Sequence, residues 1–202
     1  QRARDLCDRY GVHLIADEIA VGFGRTGTLF ACEQAGIKPD FICLSKGITG
    51  GYLPLSAVLT TDTVYAAFYG DETARGFLHS HSYTGNPLAC RAALAVLDIF
   101  EQDGVIAANR GRSVDFTTVL SDVAAHPRVR HFRCLGMIWA FDVADAPADF
   151  SPRFHRAALA QGAFIRPIGD TVYVMPPYVV TRDEMTCLSV CLLSALDQSL
   201  AA

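Results

Sequence analysis

At 202 residues, 51% of them hydrophobic, the chain is long enough to bury a core and too apolar for disorder. A formal charge of −4 with no basic cluster argues against a nucleic-acid or anionic-membrane partner, and no apolar run is long enough to span a bilayer. The seven cysteines (7, 32, 43, 90, 134, 187 and 191) lie mostly in apolar runs and never form a CxxC pair, so they read as reduced core residues of a cytoplasmic protein.

In chain order, Arg2–Tyr10 reads as the last turns of a helix stopped by Gly11, so that the sequence, which does not begin with Met, reads as a piece of a longer protein. Val12–Asp17 and Phe41–Ser45 are short apolar runs bounded by turn signals, the pattern of buried parallel strands. Between them a glycine-rich turn, Gly22–Gly27, leads into a short helix near Leu29–Ala35. Thr49-Gly50-Gly51 is a turn, Leu55–Thr60 a third strand candidate, and residues 62–85 are irregular, a length that usually has a role. Asn86 caps and Pro87 opens a helix over Leu88–Gln102, ended by Gly104.

A second helix covers Val105–Ala125, and Val129–Val143 alternates as one or two strands. Ser151-Pro152 opens a helix ending at Gly162. Ala163–Pro167 and Thr171–Met175 are predicted to pair as a hairpin around Ile168-Gly169-Asp170. Thr181 and Glu184 form a capping box for a last helix, Arg182–Leu200. The change of texture predicts a large α/β domain over 1–104 and a smaller α+β domain over 105–202.

Asp17 and Lys46 carry the chemistry. Each follows an apolar run, and in an open α/β sheet ligands gather beyond the carboxyl ends of the strands. Desolvation there would favour a neutral, nucleophilic lysine suited to a Schiff base. Alone, Lys46 could equally be a surface lysine and Asp17 a turn cap. Together they match what pyridoxal phosphate needs: an amine for its aldehyde and an acid for its ring nitrogen.

Gly22-Phe-Gly24-Arg-Thr-Gly27 has the spacing of a dinucleotide fingerprint, but Asp17 and Glu18 would set negative charge beside a diphosphate, and Asp40 precedes its strand where the ribose-binding acid should follow one. His79 and His81 alternate in a pattern open to metal ligation, without a third ligand nearby, so no metal is expected; the hydroxyls and backbone N–H groups of that loop also suit a phosphate. Arg166 ends an apolar run and is suited to a carboxylate, the protein's own or a substrate's, with Tyr173 facing it across the predicted hairpin.

The stretches ADEIAVGFGRTGTLFACEQAGIKPDFICLSKGITGGYLPLSAVLTT, FLHSHSYTGNPLAC and IRPIGDTVYVMPPY together resemble the class III, fold-type I pyridoxal-phosphate aminotransferases, over nearly the whole chain from Gly11 to Tyr178. GNPLAC and IRP…MPPY narrow the likeness to the biotin-synthesis branch. The resemblance implies part of the fold-type I large domain followed by the small domain, pyridoxal 5′-phosphate as cofactor, and a homodimer. It implies that Asp17 pairs with the ring nitrogen and that Lys46 carries the aldehyde as an imine and later moves the proton between Cα and C4′. Ser82 and the His81 backbone would hold the cofactor phosphate of the neighbouring subunit, Ser80 would lie against the oxo-acid, and Arg166 would clamp a terminal carboxylate with Tyr173 beside it. Many relatives read Gly-Pro-Thr where this chain has Ser80-His81-Ser82.

The implied reaction is a ping-pong exchange from S-adenosylmethionine to 8-amino-7-oxononanoate. The rivals are another ω-aminotransferase, an aminomutase of the same fold, or a non-catalytic fragment. The family's N-terminal half, with its phosphate loop and ring-stacking aromatic, is not in this sequence, so these 202 residues alone are expected to be inactive.

Overall fold

The computed structural model describes residues 1–201, which divide into two compact units, Gln1–Ile106 and a second from Ala107 onward. In the first, α1 (Arg2–Tyr10) ends at Gly11, whose left-handed φ of 62° lets its N–H close back on the last turn. β1 (Ile15–Asp17) lies parallel to β2 (Phe41–Leu44), with Asp17 opposite Cys43. β3 (Ala57–Thr60) adds to the other side of β2 in the antiparallel sense, giving the order β1-β2-β3. The direction follows from the connection, because a 3-10 turn over Lys46–Thr49 and a loop supply no crossover helix of the kind that parallel pairing requires.

The expectation of buried strands is corrected. β1 pairs with β2 alone, and its Ile15 is 62% exposed. Residues 62–85 are also more ordered than expected, holding α2 (Asp62–Phe68) and a 3-10 turn over Thr73–Arg75. α3 (Pro87–Gln102) starts as the sequence predicts: Asn86 Oδ1 accepts the N–H groups of Leu88 and Ala89.

Asp40 ties the start of the sheet together, accepting from Arg4 Nη1 at 2.8 Å and from the Leu14 N–H at 2.7 Å, with His13 Nδ1 at 3.8 Å. The Arg4 bond first, then the Leu14 amide, hold its carboxyl at a pKa of about 2, below the ordinary 3.8.

In the second unit the expected long helix is two, α4 (Val105–Val119) and α5 (Ser121–Ala125), and the break at Leu120 leaves both Leu120 and Val123 in the core. β4 (Val129–Leu135), β5 (Ile138–Val143) and β6 (Thr171–Val174) form an antiparallel sheet, joined by α6 (Phe150–Ala160) and α7 (Arg182–Leu200). A bulge in β4 puts His131 at φ 50°, and Asp142 accepts from His131, Arg133 and Thr171, which lowers its pKa.

Of the expected hairpin over 163–175 only the turn forms, Ile168 and Thr171 exchanging both backbone hydrogen bonds; residues 163–167 do not pair as a strand, and β6 pairs with β5. The reason is local: His155 Nδ1 donates to the Ile165 carbonyl, Ser151 Oγ to that of Pro167, and Pro167 has no N–H to give. The capping box of α7 is as read, with Glu184 N–H donating to Thr181 Oγ1 and Thr181 N–H to Glu184 Oε2.

The main hydrophobic core lies wholly in this second unit, around Trp139, Phe141, Phe150, Phe154, Leu192 and Leu196. Trp139 is fully buried and donates its Nε1–H to Thr117 Oγ1 at 2.8 Å. The first unit buries few apolar side chains, chiefly Phe23, Leu44 and Ala89. The cysteines are not core residues: Cys134 and Cys187 are exposed, the other five are half-buried, and none is in a disulfide among the described residues.

Two outcomes follow. Phe154→Ala should destabilise the chain by about 3–5 kcal/mol in urea unfolding, whereas Leu94→Ala on exposed α3 should stay within about 0.5 kcal/mol. The Asp40 contribution is fully present above pH 3.8 and is lost as the pH falls towards about 2, because the unfolded chain takes up the proton first. Asp40→Asn should therefore flatten the dependence of stability on pH across that window, as measured by acid titration of the folded signal.

Candidate active site

Asp17 is the last residue of β1 and Lys46 lies just past the end of β2, so the parallel pairing brings both to one end of the sheet. Both side chains are exposed, and the desolvation expected of Lys46 is not present. Asp17 Oδ1 accepts the Ile19 N–H at 3.1 Å, as in a strand-end turn. Among the described residues the second Asp17 oxygen and the Lys46 amine have no hydrogen-bond or ion-pair partner.

The neighbour of Asp17 has the opposite fate, because side chains alternate at a strand end. Glu18 is 2% exposed, and its carboxylate accepts the Ala31 and Cys32 N–H groups, each at 2.8 Å. It thereby closes the glycine loop against the 3-10 turn Ala31–Ala35. Burial, with Glu18 close by, pushes the Cys32 thiol up. Gly22 donates to the Glu18 carbonyl at 2.9 Å, and a Cβ there would stand 2.7 Å from that oxygen.

The loop's main product is a contact that sequence reasoning missed. Phe23, at φ 55° and 4% exposed, lies on Gly47, the residue after Lys46: a Cβ at 47 would sit 2.9 Å from both Cβ and Cδ2 of the ring residue. Phe30 and Phe100 meet the Phe23 ring edge-on at 5.9 and 6.3 Å. The signal was present as an aromatic between two glycines and a third glycine after the lysine. Lys46 itself holds a left-handed φ of 46°, and the turn it opens is tied by Ser45 Oγ to the Leu55 carbonyl and Thr49 Oγ1 to that of Leu53.

Ser80, His81 and Ser82 lie in an exposed loop before α3. His81 N–H donates to Thr84 Oγ1 at 3.1 Å, and its Nδ1 accepts from Tyr83 N–H at 3.1 Å. Among the described residues no hydrogen bond or ring contact joins this loop to Asp17 or Lys46. Among the described residues no group of three or more His, Cys, Asp or Glu is placed to hold a metal.

Within the second unit Arg166 and Tyr173 both line a concavity of about 570 Å³, walled by Phe164, Met175, Val179 and Leu188. Arg166 is exposed, with its guanidinium 5.2 Å from the centre of the Phe164 ring, and it makes no ion pair among the described residues. The alternative of an internal salt bridge is therefore not what the fold uses. His155, bonded to the Ile165 carbonyl, packs edge-on against Phe164 at 5.4 Å.

The sequence profile described as Aminotransferase class-III matches residues 1–196. The chain belongs to the class-III aminotransferases.

Within the family it is 47% identical over 199 residues to an adenosylmethionine-8-amino-7-oxononanoate aminotransferase of Helicobacter pylori, covering 96% of this chain and 46% of that protein. The crystal structure of the enzyme of the same name from Methanocaldococcus jannaschii superposes with a TM-score of 0.88 at 35% identity, over 98% of this chain and 48% of that one. An amine transaminase from an uncultivated Pseudomonas species, in its PLP-bound internal-aldimine form, gives 0.85 at 34% identity, over 98% and 47%. The chain thus spans less than half the length of these relatives. The likenesses support a fold-type I α/β fold.

The Glu18 clasp yields its own expectation. Glu18→Gln replaces one acceptor oxygen with a donor facing an N–H, so hydrogen exchange of the Ala31 and Cys32 amides should quicken roughly tenfold or more, as a bond to a charged group is worth about 1.5–3 kcal/mol.

Proposed function

We propose that the intact protein is a pyridoxal 5′-phosphate-dependent aminotransferase of biotin synthesis, forming 7,8-diaminononanoate from 8-amino-7-oxononanoate with S-adenosylmethionine as amino donor. It would work as a homodimer in the cytoplasm, residues 1–104 being part of its cofactor-binding large domain and 105–202 its small domain. The observation that carries the reading is a carboxylate oxygen and an amine, both without protein partners, at the same end of two adjacent parallel strands. That donor set fits the cofactor: Asp17 keeps one oxygen beyond its turn bond to the Ile19 N–H, and the Lys46 amine has no partner among the described residues.

When bound, the cofactor supplies an aldehyde for an amine and a cationic ring that takes up electron density as a Cα–H bond breaks. Asp17 would hold a proton on the ring nitrogen by charge-assisted hydrogen bonding. Lys46 Nζ is the amine that would hold the aldehyde carbon, with loss of water, and, once displaced and freed by the incoming substrate amine, it would serve as the base that removes a proton from the substrate Cα and returns it one position away. The hydroxyl of Ser82 and the backbone at His81 would meet the phosphate across the dimer, with the His81 N–H exchanging Thr84 for that ligand. Ser80 would lie against the oxo-acid. Arg166, free of ion pairs and beside Tyr173 in an apolar-walled concavity, suits the terminal carboxylate of a chain-like substrate.

A second reading, an amine transaminase with other substrates, is favoured by the Pseudomonas relative, whose fold likeness is nearly equal. The identity of 47% to the Helicobacter enzyme favours the first. A panel of amino donors separates the two.

In the full-length protein, Lys46→Ala should abolish borohydride-stable attachment of the cofactor and lower kcat on the order of a thousandfold. Asp17→Asn should lower kcat with the attachment kept. Arg166→Ala should raise KM for the oxo-acid roughly tenfold to a hundredfold, the worth of one charged hydrogen-bonding pair. Covalent cofactor retained by the Lys46 variant would disprove the assignment.

A further inference from the structure

The contact between Phe23 and Gly47 has no counterpart in the chemistry above, yet it adjoins both groups the chemistry uses. The loop that carries Phe23 is rooted at Glu18, the residue after Asp17, where the Glu18 N–H continues the parallel ladder to the Cys43 carbonyl at 3.0 Å and the carboxylate is clamped by Ala31 and Cys32. Gly24 N–H to the Leu29 carbonyl and Gly27 N–H to that of Gly24 fold the loop back on itself. From that root the loop reaches across to place a buried aromatic ring on the residue that follows Lys46. Gly47 has no left-handed φ, so its lack of a side chain answers a steric demand and not a conformational one.

The turn at Lys46 is pinned below by Ser45 and Thr49 and, within itself, by Ile48 N–H to the Ser45 carbonyl and Gly50 N–H to that of Gly47. Phe23 occupies the space that a side chain at Gly47 would take. Lys46 is held in the left-handed region, which a lysine does not favour, so the direction in which its side chain leaves the backbone depends on what keeps that peptide from relaxing. A ring with atoms 2.9 Å from where a Cβ would be is such a restraint, and two more aromatic edges hold the ring in turn.

We propose that Phe23 is a positioning residue for Lys46: seated on the bare Cα of Gly47 and anchored through Glu18 beside Asp17, it fixes the direction of the amine relative to the carboxylate. The inference rests on the reading of Lys46 as the cofactor lysine. Bond formation between Nζ and the aldehyde carbon, with loss of water, and the protonation of the nitrogen afterwards both depend on that direction, so the effect reaches beyond turnover.

The test uses the full-length protein with pyridoxal phosphate as probe and four variants: Gly47→Ala, Phe23→Ala, Phe23→Leu, and Phe23→Ala with Gly47→Ala together. Three quantities are read: the peptide that carries cofactor after borohydride reduction, the affinity for pyridoxal phosphate, and the pH midpoint of the visible absorbance of the loaded protein. A wild-type protein that carries the cofactor on Lys46 establishes the basis. Gly47→Ala should then lose at least tenfold in affinity and shift the pH midpoint, since the new Cβ meets the ring. The double variant should recover part of that loss relative to Gly47→Ala, because it removes the contacts with Cγ and Cδ2 of the ring while the Cβ of residue 23 stays close to the new methyl, a coupling that independent sites do not give. Phe23→Leu should fall between wild type and Phe23→Ala.

Unchanged affinity and midpoint in Gly47→Ala, or additive effects in the double variant, overturn the proposal while leaving Lys46 in its role. If Gly47→Ala does not fold, Phe23→Leu decides: an unchanged midpoint overturns it and a shifted one supports it. Cofactor found on a residue other than Lys46 in the wild type overturns the functional reading and this proposal together.

Discussion

The buried carboxylate of Glu18 is the constraint on which the rest of the site depends. A charge removed from water needs full compensation, and two backbone N–H groups at 2.8 Å provide it here. Those amides belong to Ala31 and Cys32, so the demand of a single side chain at the end of β1 fixes where the chain must return more than a dozen residues later. The glycine loop between is then short of choices: Gly22 must lie against the Glu18 carbonyl, and Phe23 must turn inward. Asp17, one residue earlier on the opposite face, is left exposed with an oxygen to offer. An Asp-Glu pair at a strand end thus divides by alternation alone, one acid building the loop and the other left facing solvent.

The two units bury their apolar residues very unequally. In the second, large aromatic and aliphatic side chains from β5, α6 and α7 meet with almost no exposure. In the first, Leu88, Leu94, Leu97 and Ile99 of α3 and Tyr65, Phe68 and Tyr69 around α2 stand largely in solvent. Surface of that kind marks places where other protein packs. It supports the reading of this chain as part of a longer subunit in a dimer, in keeping with relatives more than twice its length.

What could be read from the sequence was what short-range chemistry decides. The α7 capping box, the Asn86-Pro87 helix start and the Gly11 stop each involve groups a few residues apart, and each stands where it was expected. The parallel neighbours β1 and β2, with Asp17 and Lys46 at one end, followed from apolar runs and turn signals. The failures are long-range. Whether residues 163–167 pair with 171–174 was settled by His155 and Ser151 of α6 taking their carbonyls, which no local pattern announces. The burial of β1 and β2 was inferred from composition, but burial depends on what packs above a strand, and apolar residues without a cover remain exposed. The glycine loop was legible as a turn between strand and helix, whereas its contact of Phe23 with Gly47, residues far apart in sequence, is seen only in the structure.

Backbone strain points the same way. Among the described residues four non-glycine residues have positive φ, and two of them are Phe23 and Lys46. His131 has its reason in the β4 bulge, where Asp142 receives its ring. Phe23 and Lys46 are linked by a contact, since the side chain of one closes on the residue after the other. Holding a side-chain-bearing residue in that region costs of order 1–3 kcal/mol, and such a cost persists where the surroundings leave no alternative. Here the surroundings are hydrogen bonds from Ser45 and Thr49, aromatic edges from Phe30 and Phe100, and the Glu18 clasp, all furnished by the chain itself. Lys46 is therefore carried on a turn whose shape contacts within the chain itself set.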